Sequence, residues 1–212
     1  MQYSLAAFYE PRGVMRILQF IFAIVAFATT ANYTNNVHSI CIDGQTRTIE
    51  YPYSFEFQIC NSTTISADLS SDAQFFVATG VLSMMYCIFI IAVYAIIDEL
   101  YRTKSEFPLA DFFLTTILAI FWLAGSSAWS NGTTALKTVT NPDKLSQQCK
   151  NCTYTVESFS KLNISLLIGF LNFFLWASGL WFLYKETIWF QGRQAKQQNV
   201  GAGTSTMGQQ NV

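Results

Sequence analysis

The sequence predicts an all-α membrane protein, a four-helix transmembrane bundle carrying a small disulfide-pinned luminal β-hairpin. Three observations lead there. The 212 residues are 51% hydrophobic and only 12% charged, whereas a soluble domain carries about 25% charged residues. Four apolar stretches, about 14–31, 75–97, 109–129 and 166–184, are long enough to cross a hydrocarbon core of ~30 Å as helices. Four of the five cysteines and the Asn-x-Ser/Thr triplets gather in the two polar stretches between spans, 32–74 and 130–165, as expected of segments facing an oxidising lumen. A net charge of −1 implies no nucleic-acid partner, and no basic run supports one.

Residues 1–13 form a short N-terminus ending in Glu10-Pro11-Arg12-Gly13. The first span is too long for the apolar core of a signal peptide and lacks a clear small-x-small cleavage site. Its Arg16, Gln19, Ala23, Ala26 and Thr30 recur at three and four residues, which places them on one helix face. Arg16 is read first as snorkelling to the headgroups. The sharper alternative is an ion pair with an acid at the same depth, Asp111 or Glu186.

The second span carries the stripe Phe76, Gly80, Ser83, Cys87, Ile90 and Tyr94, with Cys87 expected as a plain core residue. The charged loop 98–108, with Arg102 and Lys104, is short enough to make the second and third spans antiparallel neighbours. The third span offers Thr115, Ala119, Trp122, Ser126 and Trp129, thinned by Gly125. Asp111 at its start is a helix-dipole partner, a partner for Arg16, or simply interfacial, the last being the default. The fourth span presents Gly169, Asn172, Trp176, Gly179 and Leu183 before stopping on Lys185 and Glu186. A face of Gly and Asn packs poorly against lipid and well against a helix, because small residues let backbones approach and the amide bonds across the contact. The stripes are therefore expected to line the bundle interior, with Asn172 bonded to a neighbouring helix. Residues 188–212, rich in Gln, Gly and Thr, are expected to be disordered.

In the first polar segment Asp43-Gly44 is a hairpin-turn signal. Tyr51, Tyr53, Phe55, Phe57 and Ile59 then alternate with polar residues, the period of a strand, which Pro52 confines to an edge or bulge. These features predict a hairpin pinned between Cys41 and Cys60. Four luminal cysteines allow three pairings. One bridge per loop, Cys41–Cys60 and Cys149–Cys152, is favoured over a pair of bridges tying the loops together. Asn-x-Ser/Thr triplets begin at Asn32, Asn61, Asn131, Asn151 and Asn163. Asn32 and Asn163 lie too near the membrane, which leaves Asn61 as the best glycosylation candidate, with Asn131 and Asn151 behind it. Basic residues concentrate at the chain ends and in the short loop, so the positive-inside rule puts both termini in the cytosol.

Little in the chain points to catalysis. Cys149-Lys150-Asn151-Cys152 has the spacing of a thiol–disulfide exchange motif, yet no helix follows Cys149 to stabilise a thiolate, so a structural disulfide is preferred. His38 stands alone, without partners at metal-ligand spacing. No nucleophile elbow, P-loop or zinc-protease motif occurs, and the carboxylates are too scattered to pair. The protein is expected not to be an enzyme and to need no cofactor or metal. The serious rival is an oligomeric channel or transporter lined by the stripes, although no ring of charge or carbonyl filter is visible.

The segments EPRGVMRILQFIFAIVAFAT, SSDAQFFV, ADFFLTTILAIFWLAGSSAWSNG and GFLNFFLWASGLWFLYKET resemble the synaptophysin family, within the MARVEL-domain tetraspan proteins. The resemblance runs in order from about Glu10 to Thr187 and is most specific in the third and fourth spans. It implies a MARVEL-like four-span domain over 14–187 and a membrane protein of small secretory or synaptic vesicles. It further implies luminal disulfides, self-association, contact with cholesterol-rich membrane and binding to the vesicle SNARE synaptobrevin. Such a protein acts as a scaffold in vesicle trafficking, exocytosis and recycling. The chain departs from that pattern in three places. Cys41 is followed by Ile-Asp-Gly-Gln-Thr rather than a glycan triplet, the second-loop cysteines are unusually close, and no Tyr or Pro follows Tyr184. The short tail is nearer to pantophysin-like members.

Overall fold

The computed structural model describes residues 9–31, 33–41, 45–59, 63–104, 106–149 and 151–186. The expectations for the Asp43-Gly44 turn, Cys60, Asn61 and the 188–212 tail lie outside these residues. Four long helices form the body: α1 (Pro11–Ala31), α2 (Ser70–Thr103), α3 (Glu106–Val139) and α5 (Ser160–Glu186), with a short α4 (Pro142–Gln148) after α3. Each of the four is long and apolar enough to cross a membrane. At ~1.5 Å per residue the 34-residue α2 and α3 are longer than a bilayer core requires and project beyond it.

The helices start and stop for local reasons. Pro11 opens α1, where its missing N–H is no loss, and Gly13 and Val14 donate backbone bonds to Glu10 O. Asp68 accepts from the Ser70 backbone N–H at the start of α2, and the Ser70 hydrogen bonds hold the exposed Asp68 carboxyl below its usual range. The segment after Trp129, expected to be loop, continues as helix for ten residues to Val139. Its buried face runs on through Gly132, Thr133 and Leu136, an unbroken three-and-four spacing that favours helix until Pro142 interrupts it.

α1 packs against α2 and α5, and α3 packs against the same two helices, so α1 and α3 face each other across the diagonal. Every residue of the four stripes is buried. Trp122, Trp129 and Trp176 fill the centre. Trp122 Nε1 donates to Ser83 Oγ and Trp129 Nε1 to Ser165 Oγ, each at 2.9 Å, so the indole N–H of both rings is satisfied inside the bundle. Outward faces carry Met85, Phe89, Ile120, Leu167 and Phe174, the apolar belt that a lipid environment demands.

Glycine sets how closely the helices approach. A Cβ on Gly169 would lie 2.6 Å from Ser126 Oγ and 2.7 Å from Phe76 Cε2. The hydroxyl can rotate away, but Phe76 is wedged between Trp122 and Trp129. Gly169→Ala is therefore expected to destabilise by about 1–3 kcal/mol, the usual overpacking penalty. At Gly125 the nearest atom is 3.5 Å away, so Gly125→Ala should be neutral or slightly stabilising. Thermal unfolding of both variants in detergent checks the order.

The strand-bearing end differs from the single hairpin expected. β1 (Asn35–Cys41) and β2 (Thr46–Tyr51) pair antiparallel, Val37 opposite Ile49. β5 (Cys152–Val156), from the second polar segment, adds to the other edge of β1 with Cys41 opposite Cys152. A second hairpin, β3 (Ser54–Ile59) with β4 (Thr63–Asp68), forms a separate sheet. Pro52 separates β2 from β3, since it cannot donate to a ladder. Tyr33, Val37, Tyr51, Leu145 and Tyr154 are buried here. Burial pushes the Tyr33 and Tyr53 phenols up to about 12, so they remain neutral.

The favoured disulfide pairing is overturned. Cys41 bonds Cys152 across a sequence separation of 111, not Cys60. Cys149 is also disulfide-bonded, and its partner is not Cys152. The physical reason is the sheet: β5 pairs with β1 and brings these two cysteines side by side, whereas Cys149 sits at the C-cap of α4. Cys87 is a buried free thiol.

Candidate functional site

The most concentrated polar chemistry lies inside the bundle, at the end opposite the strands. Arg16 projects from the first turns of α1 and Asp111 from the first turns of α3, and each is only 2% exposed. Arg16 Nη2 donates to Asp111 Oδ1 in a salt bridge and to Thr115 Oγ1 at 2.7 Å. Its Nη1 donates to Gln19 Oε1 at 2.9 Å, and Gln19 Nε2 in turn reaches Leu175 O on α5 at 3.2 Å. The guanidinium also lies 5.3 Å from the Tyr86 ring centroid and 5.6 Å from that of Trp176, within cation–π range.

Three tyrosines of α2 complete the site. Tyr86 OH donates to Asp111 Oδ1. Tyr94 OH donates to Oδ2 at 2.6 Å and Tyr101 OH at 3.0 Å. Thr115 Oγ1 adds a bond to Oδ1 at 3.2 Å. Above them the Arg12 guanidinium stands 5.1 and 5.2 Å from the Tyr94 and Tyr101 ring centroids, while its Nε bonds Glu10 at 2.8 Å. A carboxylate offers about four lone-pair sites, and here five donors approach it. No lone pair is left to act as a base. The cluster is a lock: one acid held by groups from three helices, with its counter-ion bonded to a fourth through Gln19.

Two expectations are corrected. Arg16 does not snorkel, and Asp111 is not merely interfacial. The diagonal geometry draws both inward, where each is the other's compensation for desolvation. The other candidate partner, Glu186, closes α5, and its side chain lies outside the described residues. Tyr86, Tyr101 and Arg12 were missed as members of the site. The signal was present, because Tyr94 and Tyr101 are seven apart and Tyr86 and Tyr94 eight apart, which puts three phenols on one face.

The other expected residues fall along the interface. Asn172 Nδ2 donates to Phe22 O on α1 at 3.1 Å and to Ile168 O at 3.0 Å. Asn172→Leu should lower stability by about 0.6–2 kcal/mol, the range for interhelical bonds in membranes. Unchanged unfolding in detergent would show the bond contributes nothing. Gly80 meets Phe27 of α1: an added Cβ would lie 2.8 Å from Phe27 Cβ. Gly179 is matched to Gln19, whose Nε2 would stand 2.8 Å from such a Cβ. His38 shares a hydrogen bond with Thr48 Oγ1 and stands 3.7 Å from Glu157, and among the described residues no group of acids, Cys and His is placed to hold a metal. Asn131 is exposed on the extension of α3, and Asn151 is exposed in the turn before β5.

Comparison with known families is consistent with this architecture. The chain matches the MARVEL family model, described as a membrane-associating domain, over residues 7–182. That range holds α1 through nearly all of α5, including the ion pair, its tyrosines and the disulfide-tied sheet. Given a match over most of the chain and four helices of spanning length, the protein is a multi-pass membrane protein of the MARVEL family.

Proposed function

We propose that this chain is a non-catalytic scaffold of small secretory or synaptic vesicles, acting in vesicle trafficking, exocytosis and recycling through the vesicle SNARE synaptobrevin. One observation carries the reading. The bundle interior is filled by Trp122, Trp129 and Trp176 and its ionic groups are satisfied by one another, so the outer faces are left to do the work. A rigid body with an apolar belt suits lateral association with other spans in the bilayer. Self-association and cholesterol-rich membrane fit the same belt. A disulfide at the strand end suits an oxidising side, and with the distribution of basic residues it supports cytosolic termini. A channel or transporter would require a path between copies, because the core of a single bundle is occupied.

The test is chemical cross-linking on density-purified small vesicles, probed for this chain and for synaptobrevin. A cross-linked pair in the vesicle fraction is the expected outcome. Recovery of the chain on endosomal or Golgi membranes without such a pair would remove the SNARE reading and leave a general trafficking role.

A further inference from the structure

We infer that Asn151 is an N-glycan acceptor, and that glycan transfer to it precedes closure of the Cys41–Cys152 bridge. Five triplets have the right composition, and the structure separates those it describes. Asn163 lies within α5, where it accepts from Lys137 Nζ at 2.7 Å, and the hydroxyl residue of its triplet, Ser165, is fully buried. Asn131 is exposed but sits in the continuous helix α3, two residues beyond Trp129 at the end of the apolar stretch. Its Thr133 is 1% exposed and donates to Ser130 O at 3.0 Å. A transferase must bind an acceptor triplet in a bent, non-helical form clear of the bilayer surface, and neither of these offers one.

Asn151-Cys152-Thr153 lies instead in a turn and the start of a strand, a stretch free to bend until that strand is paired and bridged. Asn151 occupies the turn between α4 and β5, and both Asn151 and Thr153 are exposed. The stretch lies on the disulfide-bearing end, within the second polar segment and clear of the four spanning helices. In the reaction the Asn151 amide nitrogen attacks C1 of a lipid-diphosphate-linked oligosaccharide. The N–C1 bond forms, the C1–O bond to the diphosphate breaks, and the proton lost by the amide leaves with the released lipid diphosphate. The middle residue of this triplet is Cys152 itself. Once Cys152 bonds Cys41 and Thr153 enters the ladder opposite Ile40, the triplet can no longer bend into a transferase. That sets the order of the two modifications.

This inference rests on the strand end facing the lumen, as in the proposed function. The experiment is translation of the full chain, with an N-terminal epitope, into microsomes, followed by peptide-N-glycosidase digestion and by protease treatment of intact vesicles. Asn151→Gln and Thr153→Val should each lose one glycan-sized mobility step relative to the wild type, and Thr153→Ser should keep it. Cys41→Ser should be glycosylated at Asn151 at least as fully as the wild type. Asn131→Gln should migrate as the wild type does. If the epitope is digested while Asn151→Gln shows no lost step, the acceptor assignment is overturned and the orientation stands. If the epitope is protected, the orientation fails and the acceptor falls with it. Lower occupancy in Cys41→Ser would overturn the order of events.

Discussion

Asp111→Leu is expected to destabilise the bundle by about 3–5 kcal/mol, the penalty for leaving one member of a buried ion pair without its partner. The loss falls on Arg16, which would keep its charge among Tyr86, Trp176 and Gln19 with no carboxylate to offset desolvation. Three phenols would lose their acceptor at the same time. Arg16→Met should cost a similar amount for the mirrored reason. The double variant Arg16→Met/Asp111→Leu should recover a large part of the loss, since an apolar pair of similar volume is often as good as the ion pair it replaces. Unfolding in mixed detergent, read by tryptophan fluorescence, gives the cycle directly. Additive losses would mean that the two residues act separately and that the cluster is no lock.

Removing the Cys41–Cys152 bridge is the second large effect. The bridge closes a sequence separation of 111, and loss of a native disulfide typically costs about 2–5 kcal/mol, mainly by freeing the unfolded chain. Cys41→Ser and Cys152→Ser should lose the same amount, and the double variant no more than either alone. The four spans themselves are held by their own stripes, so the helical signal should persist while the sheet loosens. Proteolysis at the strand end, compared with far-ultraviolet dichroism, separates the two. A variant whose helices melt together with the sheet would show that the cap holds the bundle, not only itself.

The parts of this fold that were legible beforehand are those governed by short-range periodicity. The stripes of α1, α2, α3 and α5 follow from spacing alone, because lipid outside and helix inside impose one polarity on each span. What sequence could not rank was the depth of Arg16. Snorkelling and pairing make the same demands on local sequence, and only the diagonal placement of α1 and α3 decides between them. The disulfide pairing is hidden from the sequence for a related reason. Short loops favour local bridges when nothing else is known, but β5 joins the edge of β1, and that long-range pairing leaves no local trace in the Cys149–Cys152 segment. The helical continuation of α3 past Trp129 was readable in Gly132, Thr133 and Leu136, but polar neighbours concealed it.

The sheet built from β1, β2 and β5 has a bearing on biosynthesis. Its central strand is made before the second span and its last strand after the third, so the sheet joins two segments separated by exactly two membrane crossings. Should either α2 or α3 fail to insert, Cys41 and Cys152 end on opposite sides of the bilayer and neither the ladder nor the bridge can form. The closed cap thus reports that the chain has threaded correctly. A misthreaded copy instead leaves Cys41 and Cys152 unbridged and one edge of β1 without β5.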